Sequence, residues 1–135
     1  MRYLGQLIIA IIFLQSCGRN ECGSDVEFVF INNSDYSVEI VPLDLILESN
    51  TSTIVPHNVE GPCGRLDGVC PLFQDGTIKF NNGEKCWVLD AGLRACQGDG
   101  PVGSDNYTFE RINDRSYKMT YTFVNDQYDQ ANLCE

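Results

Sequence analysis

Apolar and polar residues alternate with a period of two along most of this chain, the pattern of half-buried strands rather than of helices. Residues 26–31 are the first case, with Val26, Phe28 and Phe30 on one face. The cluster Asn32-Asn33-Ser34-Asp35 follows, residue types whose side chains hydrogen-bond their own backbone in turns. Residues 36–41 resume the alternation, with Tyr36, Val38 and Ile40 facing one way and Ser37 and Glu39 the other. These two segments are expected to form a hairpin. Pro42 ends the second strand or marks an edge, and residues 43–47 and 52–55 are two further short strands.

Residues 56–75 hold Pro56, Gly61, Pro62, Gly64, Gly68 and Pro71, and read as a loop. Residues 77–80 and 86–89 form a second hairpin around Asn81-Asn82-Gly83, where the Asn82-Gly83 pair suits the positive dihedrals of a type I′ turn. Residues 97–105 are a third Gly-rich loop. The clearest pattern comes last: a strand at 107–111, a turn at Asn113-Asp114, and a long strand at 117–124. In it Tyr117, Met119, Tyr121 and Phe123 alternate with Lys118, Thr120, Thr122 and Val124. Asn125 or Asp126 then caps a short helical turn through Ala131. About eight short strands with many turns predict an all-β fold, an antiparallel β-sandwich of immunoglobulin-like or related type.

The first sixteen residues stand apart from this pattern. Met1-Arg2 is a short positive start, and residues 4–14 are apolar except for Gly5 and Gln6. This is the build of an export signal, too short for the ~20 apolar residues of a membrane-spanning helix. It runs into Leu14-Gln15-Ser16-Cys17, a lipoprotein processing site at which cleavage precedes the cysteine and lipid is attached to it. Residues 1–16 are therefore expected to be a signal peptide, 17–25 the lipidated Cys17 with a short tether, and 26–135 the β-domain. Several acyl chains give stable anchoring where one gives only marginal binding.

Cys17 also resolves an odd count. Of seven cysteines, it leaves six in the domain: Cys22, Cys63, Cys70, Cys86, Cys96 and Cys134. Six in an exported domain of this size predict three disulfides, with the connectivity open. The short separations suggest local clips, Cys63 with Cys70 and Cys86 with Cys96, leaving Cys22 and Cys134 to join the ends.

Nine Lys and Arg stand against nineteen Asp and Glu, a formal net charge of −10, and loss of Arg2 with the signal makes the remainder more acidic still. Such a surface argues against nucleic acid and anionic headgroups as partners. A protein or glycan partner is compatible with it, besides the membrane reached through the N-terminal lipid.

Two stretches carry a resemblance. Phe30-Ile31-Asn32-Asn33-Ser34 and the ending Ser116-Tyr117-Lys118-Met119-Thr120-Tyr121-Thr122-Phe123 with Asn125-Asp126-Gln127-Tyr128-Asp129-Gln130-Ala131 resemble small Bacteroidetes lipoproteins of unknown function. Those pair an N-terminal strand and Asn-Asn-Ser turn with an ending of the type SY…YTYTFT…DY…A. The resemblance covers both ends of the domain and not its cysteine-rich middle, and it carries over no catalytic or binding residue. It implies a lipid-anchored protein of the cell envelope, at the outer membrane. Surface-displayed members often have an acidic run after the lipidated cysteine, and Gly18-Arg19-Asn20-Glu21 lacks one, which favours the periplasmic side.

Little in the chain points to catalysis. Residues 98–103 match GxGxxG, but a dinucleotide site needs a strand before the motif and a helix after it. Here the motif follows a cysteine, contains Pro101 and leads into a strand, so it reads as a loop. His57, the single histidine, lies between Pro56 and Asn58 and is expected at the surface. Asp99, Asp105 and Asn106 are oxygen donors in one Gly-rich loop and form a weak calcium candidate. No other metal and no cofactor is implied. The set Tyr117, Tyr121 and Phe123 reads as the buried face of a strand rather than a sugar platform. The expected function is non-catalytic binding or a structural role in the envelope. The alternative is an enzyme inhibitor acting through a disulfide-clamped loop around Cys63 and Cys70.

Overall fold

A computed structural model describes residues 23–59, 69–92 and 96–135. Residues 1–16, expected to be a signal peptide, and Cys17, Cys22 and Cys63 lie outside the described residues. Two sheets enclose one core, as an all-β sandwich. The first contains β1 (Ser24–Asn32), β4 (Thr51–Val59), β7 (Thr108–Arg111) and β8 (Ser116–Phe123), in the order β4-β1-β8-β7. The second contains β2 (Val38–Ile40), β3 (Leu45–Leu47), β5 (Asp75–Phe80), β6 (Lys85–Asp90) and β9 (Asn132–Leu133), in the order β3-β2-β5-β6-β9. A short helix, α1 (Asn125–Gln130), links β8 to β9. Among the described residues no helix is long and apolar enough to cross a membrane.

The core follows the alternation of the sequence. Val26, Phe28 and Phe30 of β1 and Tyr117, Met119, Tyr121 and Phe123 of β8 point inward. They meet Val38 and Ile40 of β2, Ile78 and Phe80 of β5 and Leu89 of β6. Phe80 and Phe123 join the two layers edge to face, their ring centroids 6.5 Å apart, a geometry favoured by the ring quadrupoles.

β1 and β8 lie parallel, with Val26 opposite Tyr117, Phe28 opposite Met119 and Phe30 opposite Tyr121. The sandwich is therefore not wholly antiparallel. A period of two is the same read in either direction, so alternation cannot set strand polarity. Parallel neighbours cannot be joined by a tight turn, and here the rest of the sandwich intervenes between them.

The expected hairpin between residues 26–31 and 36–41 does not form, because β1 and β2 lie in opposite sheets. The turn cluster instead carries the chain across. Asn32 is fully buried. Its Nδ2 donates to the carbonyls of Tyr36, Leu47 and Glu48 at 2.8, 3.1 and 3.0 Å, and its Oδ1 accepts from the Ser34 amide and hydroxyl at 3.0 and 2.6 Å. A side chain so occupied ties the crossing to the end of β3.

β4 is longer than expected and runs through Pro56 to Val59, paired antiparallel with the whole of β1 from Ser24–Val59 to Asn32–Thr51. Proline is tolerated because β4 is an edge strand whose outer N–H groups need no partner. The β5–β6 hairpin forms as expected, but over four connecting residues, with Asn81, Asn82 and Gly83 all at positive φ. Neither Asn125 nor Asp126 caps α1. The residue before the helix is Val124, whose N–H donates to Gln127 Oε1 at 2.7 Å.

Among the described residues two disulfides are present, Cys70–Cys96 and Cys86–Cys134. Both proposed local clips, and the Cys22–Cys134 join, are thereby corrected. Cys86 sits beside Asn132 in the β6–β9 ladder, which brings Cys134 within a Cα separation of 4.9 Å. From Cys86 the strand continues four residues to Asp90, about 13 Å at the usual rise, so Cys96 leaves at the far end of β6. There its amide donates to Gln74 Oε1 at 2.8 Å, beside the segment that carries Cys70. An inhibitory loop clamped by a Cys63–Cys70 bond loses its clamp.

Candidate binding cleft

The Gly-rich segment 98–103 is a shaped loop that leads into β7 and not into an α-helix. It contains a 3-10 turn, Gly100–Val102, and a second, Ser104–Asn106, follows it. Val102 is fully buried beneath it, and the Tyr107 hydroxyl donates to the Pro101 carbonyl at 2.8 Å. A side chain at Gly103 would overlap the Gly98 carbonyl. The loop is laced together by Asn106, whose Nδ2 donates to the carbonyls of Gly98 and Gly100 at 2.9 and 2.8 Å.

That bonding bears on the calcium candidate. Asp99 and Asn106 line one cleft, whereas Asp105, though exposed, does not line it. Among the described residues no three His, Cys, Asp or Glu side chains gather closely enough to hold a metal ion.

His57 lies in β4, exposed, with its ring 6.1 Å from that of Phe28. Asp25 and Ser116 line the same edge of the sheet as His57. Asp25 is in register with Asn58 and Ser116, while His57 is in register with Val26. Successive strand positions point to opposite faces, so the histidine and the Asp25–Ser116 row are on different sides and assemble no triad.

Residues 30–34 and 116–131 meet in space. Beyond the parallel β1–β8 pairing, the Asn33 amide donates to the Phe123 carbonyl at 2.9 Å. Tyr36 stacks on Tyr128 with centroids 3.6 Å apart and planes 15° from parallel. Lys85 Nζ lies 4.4 Å from the Tyr128 ring centre and donates to the Tyr128 carbonyl at 3.0 Å. These residues thus form a seam between the sheets, a structural role for their aromatic and amide side chains.

An open cleft of about 570 Å³ lies at one side of that seam, between β6, the Gly-rich loop and α1. Trp87, inward on β6 and half-buried against the core, forms one wall. Gly100, at φ 65°, lets the loop backbone lie against the indole, where a Cβ would overlap the ring. Tyr121 reaches the cleft from β8, and its oxygen accepts from Gln127 Nε2 at 2.9 Å. Burial pushes the Tyr121 hydroxyl far above its ordinary titration range, so it stays a neutral donor. The same burial, with Tyr121 nearby, raises Tyr107. The tyrosines of β8 are buried, as the alternation implies, and of the two Tyr121 lines this cleft. Sequence reasoning singled out neither Gln127 nor Gln130 as lining residues. The only local signal is Trp87 sharing the inward face of β6 with Leu89 near a Gly-rich loop.

Comparison with family models, curated proteins and solved structures finds no match to the chain.

Proposed function

We propose that this protein is a lipid-anchored lipoprotein of the cell envelope, related to the small Bacteroidetes lipoproteins it resembles. Its β-sandwich acts by binding or as a structural component, without catalysis. The observation that carries this reading is the pairing of Cys70 with Cys96 and Cys86 with Cys134. Disulfides of this kind persist in oxidising compartments, which supports reading residues 1–16 as an export signal and Cys17 as the lipid attachment point. The polar stretch after Cys17 lacks an acidic run, which favours the periplasmic face of the outer membrane. The acidic surface is consistent with a protein or glycan partner and with anchoring by lipid rather than by charge.

The test is detergent phase partitioning and palmitate labelling of the full chain, expressed in a bacterium with lipoprotein processing. The chain should enter the detergent phase and carry label, and Cys17→Ser should abolish both. Equal partitioning of chain and variant would sink the reading.

A further inference from the structure

We propose that the cleft between Trp87 and α1 is a binding site for a neutral saccharide. The proposal rests on the binding reading above and names its site and ligand class. A sugar ring presents an apolar C–H face and a rim of hydroxyls that both donate and accept. Its site therefore needs an aromatic surface surrounded by neutral groups with mixed hydrogen-bonding capacity. Trp87 supplies the surface. Gln127, Gln130, Asn106 and the Tyr121 hydroxyl supply the groups, with Asp99 as an added acceptor.

The constellation is held before any ligand arrives. Gln127 is fixed at both ends, accepting from the Val124 amide at 2.7 Å and donating to Tyr121 at 2.9 Å. That leaves the Tyr121 O–H as a donor. Asn106 spends its nitrogen on the Gly98 and Gly100 carbonyls and keeps its oxygen as an acceptor. Preorganisation of this kind lowers the ordering cost of binding. Gly100 brings only backbone against the six-membered ring of the indole, and Trp87 still lines the cleft.

Charge narrows the ligand. Neither Lys nor Arg lines the cleft among the described residues, and Asp99 is its one charged group. With nineteen acidic residues in the chain, phosphates and uronates would be repelled. A cage for an ammonium group would need several aromatic faces, and only Trp87 and Tyr121 are aromatic among the residues lining this cleft. The volume suits roughly one or two sugar rings, within the size range of ligand pockets.

Trp87 is the single tryptophan, so intrinsic fluorescence reports directly on the cleft. The full chain, purified in detergent, is titrated with neutral oligosaccharides (cello-, xylo-, malto- and N-acetylchito-oligomers) and with tetramethylammonium. At least one neutral oligosaccharide should give a saturable change. Gln130→Ala and Asp99→Ala, both exposed positions, should weaken it by about tenfold, one broken hydrogen-bond set in affinity terms, with an unchanged melting temperature. The proposal is overturned if no oligosaccharide responds up to millimolar concentration. It is equally overturned if only tetramethylammonium saturates the signal, or if both variants bind as the parent does. Oligosaccharide binding by a chain that fails to partition with detergent would leave the site standing and remove the anchor.

Discussion

Asp35 and Asn125 hold each other reciprocally: the Asp35 amide donates to Asn125 Oδ1 at 2.9 Å, and Asn125 Nδ2 donates to Asp35 Oδ2 at 2.9 Å. One residue sits in the crossing from β1 to β2 and the other opens α1, so this pair closes the seam from the solvent side. Asn125→Ala should cost about 1 kcal/mol in urea unfolding, the usual net worth of an exposed polar pair of this kind. Asn125→Asp should cost more, because it sets a second carboxylate against Asp35. Added salt should narrow the difference between the two variants.

Asn32→Ala is expected to be far more damaging than Asn33→Ala. Removing the buried amide leaves the Tyr36, Leu47 and Glu48 carbonyls and the Ser34 donors without it, a loss of about 3 kcal/mol or more. Asn33 is exposed and contributes its backbone amide to Phe123, which alanine preserves, so its change should stay within about 0.5 kcal/mol. Denaturant midpoints of the two variants, compared with the parent, check this.

Proteolysis without reduction should release peptides joined as Cys70–Cys96 and Cys86–Cys134. If all six domain cysteines are oxidised, Cys22 and Cys63 remain as partners. The closed segments span 26 and 48 residues. Loop-closure entropy then predicts losses of about 3.5 and 4 kcal/mol when each bridge is replaced by an alanine pair, the larger for Cys86–Cys134. Calorimetry of the two double variants ranks them.

Alkaline pH should unfold the domain through Tyr107 and Tyr121. Both are held protonated by burial, well above the ordinary value of 10.0, whereas in the unfolded chain they ionise near it. The native state therefore binds protons that the unfolded state has released. Their contribution is fully present below about pH 10 and is lost as pH rises further. The loss is about 1.4 kcal/mol per pH unit for each tyrosine. Tyrosinate absorbance should show these two rings ionising together with loss of the fold, and Tyr121→Phe should shift that transition upward.

The strands were legible because a half-buried sheet writes its two faces into alternate residues, as Tyr117 to Phe123 do. What the strands pair with was not. The same Asn-Asn-Ser-Asp cluster can reverse a strand or carry it to another layer, and the carbonyls that decide between them belong to Leu47 and Glu48, distant in sequence. Pro56 signalled a loop because its tolerance depends on β4 being an edge, a property of the whole sheet. The cysteines were paired wrongly, since Cys86 lies near the start of β6 and Cys96 beyond its far end, about 13 Å of strand away. The cleft was unreadable for a related reason: Trp87, Asn106 and Gln130 come from three segments that meet only after both sheets form.

The position of β1 constrains how the molecule can be made. It is the first described strand and an inner strand of its sheet, yet its neighbour β8 follows β2 to β7 along the chain. Until then β1 presents Phe28 and Phe30 beside an unpaired backbone edge, a template for unwanted pairing with other chains. Closure of this sheet must await synthesis of β8, and contacts this distant along the chain make folding slow. A truncation that stops before Ser116 would keep most of the residues and still leave a chain prone to aggregate.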